Sequence, residues 1–458
     1  MLSRVPEAPD AAVQAQRPAP VFALSAAILG FFVVTLDAVI VNVALPSIRE
    51  SLGGGMTGLQ WVVDGYTLMF AALLLSAGSL ADRIGARRAL ALGIGLFAAA
   101  SFACGTAPTL PVLIGMRFVQ GGAAALIVPA SLTLVSESYQ DPRRRGRAVA
   151  MWAMGGAVAS TAGPVAGGFL AELDWRWIFL INVPAAVIAL LALRRTAPST
   201  THPARFDWPG QAAAVTAMAA LTFAAIEAGE AGVLATPVIT ALLVTVIGLV
   251  TFVVVEARSE HPMMPLDLFG GRVFRISLIA GFAFMVGYFG LPFVMSLYFQ
   301  QVQGMTAFQT GIAFLPMMVI GLVLTPFSAR IVERVGARTP IVGGLVCMAV
   351  GMVALVIATP SATTWALSIL MILVGIGGPL TMPPLTALLL HHVPPGRTGT
   401  ASGVFNTSRQ VGGALAVAVF GALLAGDSAF TDGLHISLLV GAAVVAIAAI
   451  AGLRLPRR

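Results

Sequence analysis

Asp82-Arg83-Ile84-Gly85-Ala86-Arg87 and Glu333-Arg334-Val335-Gly336-Ala337-Arg338 are near-copies of one pattern, 251 positions apart (333 minus 82). Each follows one long apolar run and precedes another. A short acidic-basic-glycine loop at the same place in two apolar contexts marks two copies of one membrane module, and such internal repeats are characteristic of transporters. The correspondence continues outward. Pro129 ahead of Ser131-Leu132-Thr133 resembles Pro384 ahead of Leu385-Thr386, and Gly146-Arg147-Ala148 resembles Gly399-Thr400-Ala401.

The 458 residues are 58% hydrophobic and only 10% charged, with a mean hydropathy of +0.94, which places the chain outside the soluble globular class. Apolar runs of about twenty residues recur throughout, each long enough to cross ~30 Å of hydrocarbon as a helix. Strands of a membrane barrel would alternate in short segments, and no such pattern occurs. The fold class expected is all-α integral membrane, with fourteen transmembrane helices running from Val21–Val43 to Ile436–Leu453. Six spans precede and six follow a central pair without a counterpart. The expected organisation is therefore a cytoplasmic tail (1–20), a first six-helix bundle (21–195), two additional helices (206–256) and a second six-helix bundle (272–455). The first apolar run is too long for a signal-peptide core and reads as an uncleaved span.

Arginines gather in every second loop, as at Arg83, Arg87 and Arg88, at Arg143, Arg144, Arg145 and Arg147, and at Arg194, Arg195 and Arg205. The alternate loops carry only Arg49 and Arg176, so the positive-inside rule puts both termini in the cytoplasm. This distribution accounts for the net charge of +7 better than nucleic-acid binding does, because no single basic patch with interleaved aromatics exists. The chain has no lysine, which excludes the Gly-Lys-Ser/Thr loop of an ATP-driven pump. Cys104 and Cys347 lie inside apolar runs and suggest no disulfide or metal framework. No catalytic constellation appears, so neither an enzyme nor a bound cofactor or metal is expected.

Several segments resemble the major facilitator superfamily, specifically its fourteen-span drug:proton antiporter branch. They are Leu36-Asp37-Ala38-Val39-Ile40-Val41-Asn42-Val43-Ala44-Leu45-Pro46 on helix 1, the run from Gly78 through Asp82, Arg83, Gly85 and Arg87 to Arg88, Arg117-Phe118-Val119-Gln120-Gly121-Gly122 on helix 4, and Gly163-Pro164-Val165-Ala166-Gly167-Gly168 on helix 5. Trp175 to Pro184 and His261-Pro262-Met263-Met264-Pro265-Leu266 are also similar to that branch. Ala86 stands where a basic residue is common, and Ala150 and Ala159 where glycine is usual. The resemblance implies a proton-coupled efflux transporter, drug out and proton in, working by alternating access in a bacterial inner membrane. Its implied partners are a small amphipathic substrate, protons and the bilayer, with no nucleic acid, and the chain is expected to act as a monomer. The alternative is an exporter of one metabolite, peptide or lipid on the same fold.

Ionisable side chains within spans cost about 2.5–3.5 kcal/mol each on insertion scales, which makes Asp37, Asp64, Arg117 and Arg409 functional candidates. Counted from helix ends, Asp37, Asp64 and Arg117 fall at similar depth, about 9–10 Å in. An arginine among carboxylates can hold one acid charged while another, desolvated, exchanges a proton. Asp37 or Asp64 is expected to carry the coupled proton while Arg117 senses its charge, and the resemblance favours Asp37 and Arg117; the alternative is that Asp37 pairs permanently with Arg117 to fix packing. Gly163, Pro164, Gly167 and Gly168 give one helix a surface for close approach. Gly78, Asp82, Arg83, Gly85 and Arg87, with Glu137, form a candidate cytoplasmic latch; the resemblance implies that it holds the bundles when the outside is open. Tyr66, Met69, Tyr288, Phe289, Asn406 and Arg409 are candidates for the substrate cavity, aromatic and methionine surfaces being suited to varied apolar cations. Arg409 either faces that cavity or binds a helix carbonyl.

Overall fold

The computed structural model describes residues 20–201, 207–259, 262–394, 397–425 and 430–456. The tail before Pro20, Arg205 and His261 lie outside the described residues. Fourteen helices follow in order: α1 (Pro20–Leu52), α2 (Met56–Ile84), α3 (Ala86–Gly105), α4 (Leu110–Ser138), α5 (Pro142–Leu173), α6 (Trp177–Arg194), α7 (Trp208–Ala231), α8 (Thr236–Arg258), α9 (Arg272–Val302), α10 (Ala307–Val335), α11 (Arg338–Ala358), α12 (Thr364–His391), α13 (Thr398–Ala425) and α14 (Phe430–Gly452). Thirteen are each long and apolar enough to cross a bilayer. The bent pair within α2, Met56–Leu74 and Ser76–Ile84, makes the fourteenth.

The internal repeat reappears as packing. In the first bundle α1 packs on α4, α5 and α6, α4 on α2 and α3, and α3 on α6. In the second, α9 packs on α12, α13 and α14, α12 on α10 and α11, and α11 on α14. Adding eight to each helix number converts one set into the other. The bundles meet along two seams obeying the same rule, α2 against α13 and α5 against α10. Helix α7 lies along the first seam, in contact with both α2 and α13, and α8 packs on α7. The extra pair thus leans on one inter-bundle seam rather than joining either bundle's core.

The two loops that opened the reading have one backbone solution. Gly85 and Gly336 adopt φ of +87° and +76°, a region that costs glycine little because it has no Cβ. That single residue lets α2 end at Ile84 and α3 begin at Ala86.

Several boundaries differ from expectation, among them the start of α14, at Phe430 instead of Ile436. Helix α1 continues to Leu52 instead of ending at Val43, with Pro46 inside it and Ile48 fully buried, so packing of its last turns outweighs the lost backbone bond. Helix α5 starts at Pro142, so that it takes in the arginine run expected to be loop: Asp141 accepts the Arg144 N–H at 2.8 Å and proline occupies the first turn. The end of the molecule carrying the start of α1 and the end of α14 is called here the terminal face, and the opposite end the distal face.

Candidate functional site

A closed polar network sits inside the first bundle. Arg117 of α4 and Asp37 of α1 form an ion pair with 1% and 0% of their side chains exposed. Gln120 Nε2 donates to the second Asp37 oxygen at 2.9 Å, and Asn182 Nδ2 of α6 donates to the same oxygen at 3.0 Å. Arg117 Nη1 also donates to Gln120 Oε1 at 2.8 Å, and its Nε to the Val62 carbonyl of α2 at 2.8 Å. Gln120 reaches Ser101 of α3 at 2.8 Å. The guanidinium stands 4.4 Å from the centre of the Tyr66 ring, whose hydroxyl donates to the Val34 carbonyl at 3.0 Å. Five helices therefore converge on one charge pair. Such a pair is stable when its remaining hydrogen-bonding capacity is filled, and losing one partner costs about 3–5 kcal/mol.

Asp64 does not join this network. Helical geometry advances about 100° per residue, so Val62 and Tyr66, which both hold Arg117, leave Asp64 on the opposite side of α2. That side carries Gln60 and Leu68, one turn away in either direction. Gln60 Nε2 donates to the Ala418 carbonyl of α13 at 2.6 Å, and Leu68 borders a small apolar gap with Leu221 of α7 and Ala414 of α13. Asp64 thus lies at the seam between the bundles, fully buried, with neither carboxylate oxygen hydrogen-bonded. Similar depth along the helices thus does not bring Asp64 to Arg117, because Asp64 lies on the other face of α2.

The bundles are joined at their distal ends by direct hydrogen bonds. Besides Gln60, Ser296 Oγ donates to the Asn42 carbonyl at 2.9 Å and Gln300 Nε2 to the Val43 carbonyl at 3.0 Å, both from α9 to α1. At the other seam the Phe308 N–H donates to Glu172 at 3.3 Å. The glycine motif of α5 serves two faces, not one. A Cβ on Gly163 or Gly167 would press on Val39 (3.2 Å) or Ile40 (2.7 Å) of α1, within the bundle. A Cβ on Gly168 would strike the backbone of Ala307 and Phe308 in α10, and one on Gly311 the Pro164 carbonyl, across the bundle seam. Above this closure a recess of about 570 Å³ is lined by Arg49, Glu50, Gln300 and Gln301.

At the terminal face three of the predicted latch residues gather on one segment of the first bundle: the Arg87 N–H donates to Ser199 Oγ at 3.0 Å, a Cβ on Gly85 would meet Ser199 at 3.3 Å, and Glu137 reaches the adjacent Thr200. Asp82 and Arg83 are exposed. Arg87 donates from Nε to the Leu193 carbonyl at 2.9 Å, capping the end of α6 in its own bundle, and Glu137 accepts from Thr200 at 3.2 Å. A Cβ on Gly78 would meet nothing within 4 Å.

The residues expected to line a cavity divide. Tyr66 is a wall of the buried network, 1% exposed, rather than a cavity residue, because Arg117 draws its ring inward. Met69, Tyr288, Phe289, Asn406 and Arg409 are part-exposed. Tyr288 stacks on Phe284 at 5.0 Å and faces Met318 of α10. Among the described residues no group of three His, Cys, Asp or Glu side chains is placed to hold a metal. Sequence reading missed Gln120, Asn182, Gln60 and Gln300 as participants. The signal for Gln120 was its spacing of three from Arg117, which puts both on one face.

Two six-helix bundles of matching topology, sealed at one end and enclosing buried charge, define a secondary transporter. The chain belongs to the major facilitator superfamily, whose family model matches residues 27–417. It is 37% identical over 418 residues to the methylenomycin A resistance protein of Streptomyces coelicolor, covering 91% of this chain and 88% of that one. It is 36% identical to the multidrug resistance protein Stp of Mycobacterium tuberculosis (87% and 74% covered) and 35% identical to the puromycin resistance protein pur8 of Streptomyces alboniger (92% and 85%). The fold is similar to that of the D-xylose-proton symporter, with a TM-score of 0.68 at 15% identity over 95% of this chain and 98% of that one. A peptide transporter POT in complex with sulfate gives 0.71 at 16% identity, with 96% of each chain covered.

Proposed function

We propose that the chain is a proton-coupled exporter of amphipathic antibiotics, acting as a monomer in the bacterial inner membrane with its terminal face in the cytoplasm. The resistance and efflux proteins it resembles support the cargo class. The asymmetry of arginines, many at terminal loops against Arg49 and Arg176 at distal ones, supports the orientation.

The observation that carries the coupling is the Asp64 carboxyl, buried without a hydrogen-bond partner at an inter-bundle seam. A bare carboxylate there would be strongly disfavoured, so the closed seam carries Asp64 as the neutral acid. Parting of α2 from α13 wets it and lets the proton leave. The charged form then cannot re-enter the dry seam until it is neutralised again, which ties each passage of the proton to one movement of the bundles. Asp37, held by three donors, is the fixed counter-charge of Arg117 in this scheme. Distal closure by Gln60, Ser296 and Gln300 corresponds to the state that accepts cargo from the cytoplasm.

Inverted vesicles with an acid-inside gradient, followed by a pH-sensitive dye, test the reading. Gradient collapse that requires a particular antibiotic and vanishes in Asp64→Asn is expected. A broad panel without response from inserted protein, or a response untouched by Asp64→Asn, overturns it.

A further inference from the structure

Arg409 stands near the middle of α13 with no acid among the described residues to answer its charge. Nη1 donates to Asn406 Oδ1 at 3.0 Å within the same helix, Nη2 lies 3.9 Å from the Met285 sulfur of α9, and Nε has no partner. Among the described residues the ion pairs within 4 Å are Arg117–Asp37, Arg176–Asp174 and Arg397–Asp267, and none includes Arg409. The two mid-membrane arginines thus differ in kind: Arg117 is neutralised and sealed, whereas Arg409 is charged and part-exposed beside part-exposed Asn406 and Gln410.

Its surroundings are shaped as well as charged. The side chain runs along α9 at Gly281, where a Cβ would come within 3.1 Å of Arg409 Cγ, so the glycine makes room for it. The Phe405 ring centre is 5.9 Å from the guanidinium, and Met285 and Phe289 lie together against Gly413 one turn further along α13. A guanidinium offers five N–H donors in a planar fork that fits a carboxylate with two parallel bonds, and one neutral amide oxygen uses little of that capacity. A cationic guest would instead meet a like charge.

From this we infer that Arg409 anchors the anionic group, of carboxylate type, of an amphipathic cargo whose apolar body lies on the part-exposed Phe289, behind which Met285 and Phe405 are buried. The inference rests on the export reading for its biological sense, but the binding it asserts can be read without transport. The carboxylate replaces the missing counter-ion when cargo is bound, and the apolar wall selects against small inorganic anions.

The test labels arginines of the full chain in detergent with 4-hydroxyphenylglyoxal and follows the Arg409-bearing peptide by mass spectrometry. Arg409 is expected to react, and to lose its label in the presence of 4-butylbenzoate but not of its methyl ester or of 4-butylbenzylamine; acetate and chloride should protect only weakly. An unreactive Arg409, a label that 4-butylbenzoate leaves unchanged, equal protection by the ester, or equal protection by acetate or chloride overturns the inference, the last by showing a site for charge alone. The labelling requires no transport. Loss of this proposal with a working vesicle assay leaves export intact, and carboxylate protection without proton exchange would remove the export reading instead.

Discussion

Asp64 faces away from Arg117, although Arg117 donates to the carbonyl of Val62 only two residues earlier on the same helix. In the proposed coupling scheme Asp37 and Asp64 therefore have separate duties. Asp64→Asn should insert and fold, since an amide is no harder to bury than a neutral acid, yet lose proton-driven uptake into inverted vesicles while keeping exchange of labelled for unlabelled substrate. Loss of both activities in well-folded protein would argue for a substrate role instead.

Asp37→Asn should behave differently. It leaves the Arg117 charge buried without its counter-ion, at a cost of about 3–5 kcal/mol, and should lower the unfolding temperature in detergent markedly. Asp37→Asn combined with Arg117→Gln should recover a large part of that loss, because the double change removes the stranded charge. A double variant as unstable as the sum of the single ones would show that the two residues are not coupled.

Neighbouring glycines of α5 should separate packing from gating. Gly167→Leu presses on Ile40 inside the first bundle and should reduce the yield of folded protein. Gly168→Leu presses on α10 and should leave the bundles intact while preventing distal closure. Spin labels at Ser47 and Gln301, on opposite bundles beside the distal recess, would then show a longer distance in Gly168→Leu than in the parent.

Gln60→Ala and Gln300→Ala each remove an amide that donates to a carbonyl of the other bundle. One such bond contributes about 0.5–1.5 kcal/mol, equivalent to roughly a two- to tenfold shift toward the distal-open state. A Ser47→Cys reporter in a background lacking Cys104 and Cys347 should react faster with an impermeant maleimide when either glutamine is removed. An unchanged rate in the combined variant would place the closure elsewhere.

The repeat at Asp82 and Glu333, the run of apolar spans and the placement of arginines determined the membrane class, the fourteen helices and the pairing of the two bundles. Those are one-dimensional properties: span length follows from bilayer thickness, and a left-handed glycine at Gly85 or Gly336 is fixed by local sterics. The sequence also named Asp37, Asp64, Arg117 and Arg409 because charge is costly in hydrocarbon wherever it points. Direction was decided only by the tertiary structure. Which side of α2 carries Asp64, which neighbour each glycine of α5 meets, why Tyr66 lies under Arg117 and why Arg409 lacks a counter-ion all depend on how helices distant in sequence are rotated against one another. That rotation is set by side-chain packing summed over many contacts, and no single stretch of the chain contains it.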